Sequence, residues 1–181
     1  MWRELRRMLP EESLIYLGDG KNCPYGGRSR EEITAFAAAA VERLVAEGAK
    51  MVVVGCNTAT TAAIDALRSA WPELPIVGLE PAVKPACLTT KTRRIAVLAT
   101  EHSLRSDMFL RTAERYASDV EVVKVSGQGF VEIVEQGREH TVEAKSAVER
   151  VVEPLIAAGA DKIVLGCTHY PFLRAAIERV V

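Results

Sequence analysis

Two cysteines stand where chemistry is expected. The stretches VVVGCNTAT (residues 52–60) and IVLGCTHYP (residues 163–171) each run a strand-like apolar segment into Gly-Cys, a polar turn and then helix-forming sequence. Such a turn lies at the carboxyl end of a strand and beside the positive end of a helix, where open α/β sheets bind ligands. The upstream sequence is duplicated as well. VERLVAEGAK and VVEPLIAAGADK both give an amphipathic helix, Gly-Ala and a charged residue before the strand. Cys56 and Cys167 therefore occupy equivalent places in two related halves that are expected to face one another across a cleft. Two opposed thiols suit proton exchange on both faces of one carbon: one base removes an α-proton and the other returns a proton from the opposite side.

Three other uses of a cysteine pair fit less well. A disulfide wants an oxidising compartment, and no secretory pattern is present. Zinc wants a short Cys-x-x-Cys or Cys/His pairing, and Cys167-Thr-His169 is the nearest spacing. A redox dithiol keeps both cysteines in one motif. None of these explains why the cysteine is duplicated with its flanks. Of the other two cysteines, Cys87 reads as packing and Cys23 as an exposed-loop residue without a role.

The elements that must position these thiols alternate along the chain, the pattern of α/β folds with open, mostly parallel sheets flanked by helices. Strands are expected at residues 14–17, 51–54, 75–77, 95–99, 120–125 and 162–165. Helices are expected at 30–47, 58–70, 103–117 and 139–158, the last with a kink at Pro154, and again from Pro171 onward. The polar stretch TTKTRR (residues 89–94) lacks apolar periodicity and is read as the junction between two pseudo-symmetric domains, 1–90 and 91–181. Each carries one cysteine turn and about three strands. The 181 residues are 49% hydrophobic and 26% charged with net charge −1. That balance gives no electrostatic reason to expect nucleic acid, and no apolar run approaches the roughly 20 residues of a membrane span. A cytoplasmic protein is expected.

Around the thiols, a helix N-terminus is expected to favour the thiolate. Asn57, Thr58 and Thr168 are placed either to cap the following helix or to bind ligand. His169, two residues past Cys167, is a candidate general acid/base partner. Asp19 follows an apolar segment at a glycine turn and is an orienting candidate. Pro24-Tyr25-Gly26-Gly27 is a turn whose glycines let backbone amides approach a ligand and whose tyrosine offers a hydroxyl. No glycine-rich phosphate loop and no recognisable cofactor lysine appears.

Taken together, GDGKNCPYGGRS (residues 18–29), GCNTAT (55–60), VGLEPAVKPA (77–86), ATEHSLRS (99–106), FVEIVEQG (130–137) and GCTHYPFL (166–173) resemble the glutamate racemase family of the aspartate/glutamate racemase superfamily. The resemblance covers essentially the whole chain. It implies cofactor-independent and metal-free racemisation of glutamate, with Cys56 and Cys167 as acid and base and D-glutamate supplied to peptidoglycan. It also implies substrate contacts at Tyr25, Gly26, Asn57, Thr58, Thr168 and His169, supporting roles for Asp19, Pro24 and Glu135, and a homodimer. The family opens with a strand ending in Asp-Ser-Gly and returns its C-terminal segment to the first domain. Neither falls within residues 1–181, so truncation at both ends and an incomplete first domain are expected. Two alternatives stand beside this one: an amino-acid-binding remnant with little turnover, and a racemase of the aspartate type.

Overall fold

Helices and strands alternate along the computed structural model, which describes all of residues 1–181. In chain order the elements are α1 (Trp2–Met8), α2 (Arg30–Ala46), β1 (Val52–Val54), α3 (Asn57–Ala70), β2 (Ile76–Gly78), α4 (Val83–Thr89), β3 (Arg94–Ala99), α5 (Glu101–Arg105), α6 (Asp107–Tyr116), β4 (Glu121–Ser126), α7 (Phe130–Glu135), α8 (Val142–Ala157) and β5 (Lys162–Leu165). A 3₁₀ turn, Tyr170–Leu173, then leads into the single-turn α9, Arg174–Ile177. The strands form two sheets, β1-β2 and β4-β3-β5, and every pairing is parallel.

The larger sheet is a three-layer core. Strand β3 is its centre, and Ile95 through Ala99 are fully buried. Because side chains alternate across a strand, Ile95, Val97 and Ala99 pack on one side with Val83, Leu104 and Phe109 of the α4–α6 layer. Leu98 points to the other side, with Phe130, Val148 and Leu173. Each Val, Leu, Ile or Phe side chain among these contributes about 1.5–3 kcal/mol by leaving water. The smaller sheet is covered on one face, where Val52 and Ile76 meet Val41 of α2 and Ile64 and Leu67 of α3. Val53 and Val77 on its other face stay 37% and 44% exposed.

The duplication extends to backbone geometry. Gly48 and Gly159, both at φ +85°, end α2 and α8. Each helix is closed by the same pair of bonds: Gly48 N–H to the Val45 carbonyl and Ala49 N–H to that of Leu44, then Gly159 to Ile156 and Ala160 to Leu155. This is the Schellman stop, and its left-handed residue is glycine because a Cβ would be strained there. The stop aims each chain into the strand that ends at a cysteine.

Several expectations are corrected by the structure. Residues 14–17 form no strand, and residues 13–24 make no backbone–backbone hydrogen bond at all; an apolar segment becomes a strand only beside a partner edge. The helix expected over 103–117 is two helices, because Ser106 ends α5 and its hydroxyl also accepts from Phe109 N–H to start α6. Helix α8 starts at Val142 and runs through Pro154 to Ala157. The first sheet has two strands, and the C-terminal helix is a 3₁₀ turn followed by one α turn.

Where residues 90–92 approach β5, Asp161 holds them. Its carboxylate accepts from the Thr90 hydroxyl at 2.5 Å, Lys91 N–H at 2.5 Å and Thr92 N–H at 3.3 Å. These bonds, the Thr90 hydroxyl first, hold its carboxyl down at about 2, from 3.8. A depressed folded-state pKa adds stability above the unfolded value and loses it as pH falls through the folded one. Asp161→Ala is accordingly expected to lower Tm at neutral pH, with the gap to the parent protein closing between about pH 4 and about pH 2. Thermal scans across that window check it.

Candidate active site

Cys56 is the N-cap of α3. Its backbone is extended, and its sulfur accepts from Ala59 N–H at 3.4 Å. The capping position follows from the local sequence, because β1 stops at Val54 and Asn57-Thr-Ala-Thr begins the helix. Cys167 opens the matching turn after β5, where Tyr170 N–H donates to the Cys167 carbonyl at 3.2 Å. Pro171 in the following turn leaves a tight 3₁₀ coil, so Cys167 does not head an α-helix as expected.

The two thiols line one cavity of about 1300 Å³. Tyr25, Gly26, Thr58, Asp19, Glu135 and His169 line it with them. Pro24, Asn57 and Thr168 do not. Pro24 is exposed, Asn57 is buried as the first residue of α3, and Thr168 is half-buried beside the turn. Apolar side chains of α1 (Trp2, Leu5) and α2 (Val41, Leu44), with Leu14, also line this cavity.

Burial overrides the expected helix-end effect on the sulfurs. Desolvation raises Cys56 above the ordinary thiol value of 9.0, against a smaller downward pull from the N–H groups of Ala59 and Thr58. Cys167 is raised to about 11, again chiefly by burial, with the His169 N–H opposing. Burial thus favours the protonated thiol over the thiolate in both groups.

The two walls of the cavity are braced differently. On one side His169 bridges Cys167 and Glu135: Nδ1 lies 3.8 Å from the Cys167 sulfur, and Nε2 lies 2.6 Å from Glu135 Oε1. On the other, the Tyr25 hydroxyl donates to Asp19 at 2.6 Å, and Asn22 donates to both carboxylate oxygens at 2.9 Å. The Tyr25 bond, followed by those of Asn22, holds the Asp19 carboxyl below its usual range. Burial, then that carboxylate, raises the Tyr25 hydroxyl.

Sequence reasoning passed over Thr100. Its buried hydroxyl lies 3.0 Å from both Thr58 Oγ1 and Ser103 Oγ, and it lines the cavity. Gly26 presses on it, since a Cβ there would fall 3.1 Å from Thr100 Cγ2. The signal was present in ATEHS, a strand end followed by Thr with Ser three residues on, which caps α5. Thr58→Val or Thr100→Val strands a buried partner, at a cost of about 1–3 kcal/mol. The double variant is expected to cost less than the two singles added together, as chemical denaturation would measure.

A family model described as Asp/Glu/hydantoin racemase matches residues 1–181. The chain belongs to that family. Within it, the chain is 48% identical over 178 residues to a glutamate racemase of Herpetosiphon aurantiacus, covering 98% of this chain and 70% of the relative. It is 45% identical over 179 residues to a glutamate racemase of Ectopseudomonas mendocina, covering 99% and 68%. Among solved structures, a Bacillus anthracis glutamate racemase isoform superposes with TM-score 0.84 at 33% identity, covering 99% of this chain and 67% of that one. The Escherichia coli glutamate racemase, in complex with L-glutamate and the activator UDP-MurNAc-ala, gives 0.89 at 30%, covering 99% and 68%. This racemase-family chain thus spans about two thirds of the length of these relatives, and its open parallel sheets are theirs.

Proposed function

We propose that the chain interconverts L- and D-glutamate by a two-base reaction on Cys56 and Cys167. The observation that carries this reading is that both sulfurs line one cavity. One thiolate takes the α-proton and becomes a thiol. The opposite thiol then delivers its proton to the other face of the planar carbanion and becomes the thiolate. The net change is inversion at carbon, without redox change or leaving group.

The neighbouring residues have roles that follow from what they touch. His169, held by Glu135, steadies the ionisation of Cys167. The α3 N-terminus at Asn57 and Thr58, and the turn at Thr168 and His169, offer N–H groups to carboxylates. Tyr25 and Gly26 close the side braced by Asp19, with Pro24 shaping that turn. The carbanion is sustained by placed dipoles in a site short of water. In this reading no pyridoxal phosphate or metal takes part, residues 1–90 and 91–181 act as two halves that grip the substrate, and the active form is a homodimer in the cytoplasm supplying D-glutamate for peptidoglycan.

The experiment is chiral chromatography of L-glutamate incubated with the protein, with L-aspartate in parallel. D-glutamate formation with little D-aspartate is expected, and no inversion of either acid overturns the reading. A second reading rests on the cavity's size, which exceeds the roughly 300–1,000 Å³ of an ordinary ligand pocket: an amino-acid binder with little turnover. Calorimetric binding of glutamate without inversion would favour it.

A further inference from the structure

The proton exchange leaves Cys23 unused. It is half-buried rather than exposed, and it packs against the core around Leu98 and Tyr170. There it meets two residues from distant parts of the chain: Glu135 at the end of α7 and His169 in the turn after β5. One ligand atom from each of the three lies within 4.8 Å of the other two.

We propose that Cys23, Glu135 and His169 form a binding site for a soft divalent cation of the zinc class, and that its occupation shuts the racemase site. A thiolate, an imidazole and a carboxylate are a zinc donor set, whereas magnesium and calcium prefer all-oxygen sites. Bonds of about 2.0–2.3 Å in a tetrahedron put ligand atoms roughly 3.3–3.8 Å apart. The set closes onto a cation with side-chain adjustments of about 1 Å. The Glu135 side chain, 49% exposed, is free to make its share of that movement. All three residues line the cavity, so the fourth position opens towards it. Binding releases the Cys23 thiol proton to solvent. It also takes His169 out of its pairing with Glu135 and places the cation and its fourth ligand in the cavity that the substrate must enter. The inhibitory half of this proposal rests on the racemase reading; the binding half does not.

The test titrates the full chain with Co²⁺, and separately with Zn²⁺ against a chromophoric chelator. A thiolate-to-cobalt charge-transfer band is expected in the parent protein and absent in Cys23→Ser. Cys23→Ser and Glu135→Gln are each expected to weaken zinc binding by at least about 10-fold, the lower end of what loss of even a supporting partner costs. With glutamate, Cys23→Ser is expected to keep the basal rate while needing at least about tenfold more zinc for half-inhibition. Unchanged zinc affinity in both variants overturns the site, as does a cobalt band that follows Cys56 or Cys167 instead. A Cys23-dependent band in a chain that inverts no glutamate keeps the cation site and overturns the racemase reading alone.

Discussion

Cys56→Ser and Cys167→Ser are each expected to lower glutamate racemisation by about 10²–10⁴-fold, the range that a placed proton-transfer group supplies. A serine hydroxyl is close to the thiol in shape, and at position 56 it can keep the capping bond from Ala59 N–H, but it is a far weaker acid, so folding should survive while proton transfer fails. The discriminating measurement is exchange of the α-proton with deuterated solvent. Each variant is expected to lose exchange from one enantiomer more than from the other, and the two variants are expected to differ in which one. Equal, mild losses in both would overturn the two-base assignment. The pH profile follows from burial. The base must be a thiolate, and the folded protein raises both sulfurs, Cys167 to about 11. Below those values the thiolate fraction grows tenfold per pH unit, so kcat/KM is expected to climb through the neutral range. It should turn over only on the alkaline side, where the partner thiol loses the proton it must deliver.

The second large effect is structural. Phe130, the first residue of α7, is fully buried, and its ring meets that of Tyr170 edge-on at a centroid distance of 5.4 Å. Phe130→Ala is expected to cost about 3–5 kcal/mol, from lost transfer energy and the cavity left behind. Denaturant unfolding would measure it. The damage should also reach the site, because α7 ends at Glu135 and Tyr170 follows His169. The residual activity of the folded fraction is therefore expected to fall as well. Leu67→Ala in the other core tests locality: it should cost about 2–5 kcal/mol with a smaller effect on that activity.

How much of this was legible beforehand depends on what each feature needs. The cysteine turns could be read because everything that builds them is local: a Schellman glycine, a short apolar run, then Gly-Cys. The buried strand at 95–99 announced itself by continuous apolar sequence. Residues 14–17 misled because apolar content is a property of a segment, whereas a strand is a property of a pair. Ser106 concealed a helix break because serine reads equally as a helix interior residue and as a cap. The sulfur acidities were misjudged because position along a helix is visible in sequence and desolvation is not. Cys23 was unreadable for the same reason, since its neighbours arrive from α7 and from the turn beyond β5.

The segment from Ser13 to Pro24 makes no backbone–backbone hydrogen bond and is held by side chains, through the Tyr25 bond to Asp19, the Arg28 bond to the Asn22 carbonyl at 2.8 Å and the packing of Cys23 against the core. One flank of the hollow thus hangs on a handful of polar side-chain bonds, while the flank carrying Cys167 follows a strand laddered to β3. The backbone amides of Ser13 to Asn22 are accordingly expected to trade their protons with solvent well before those of β5.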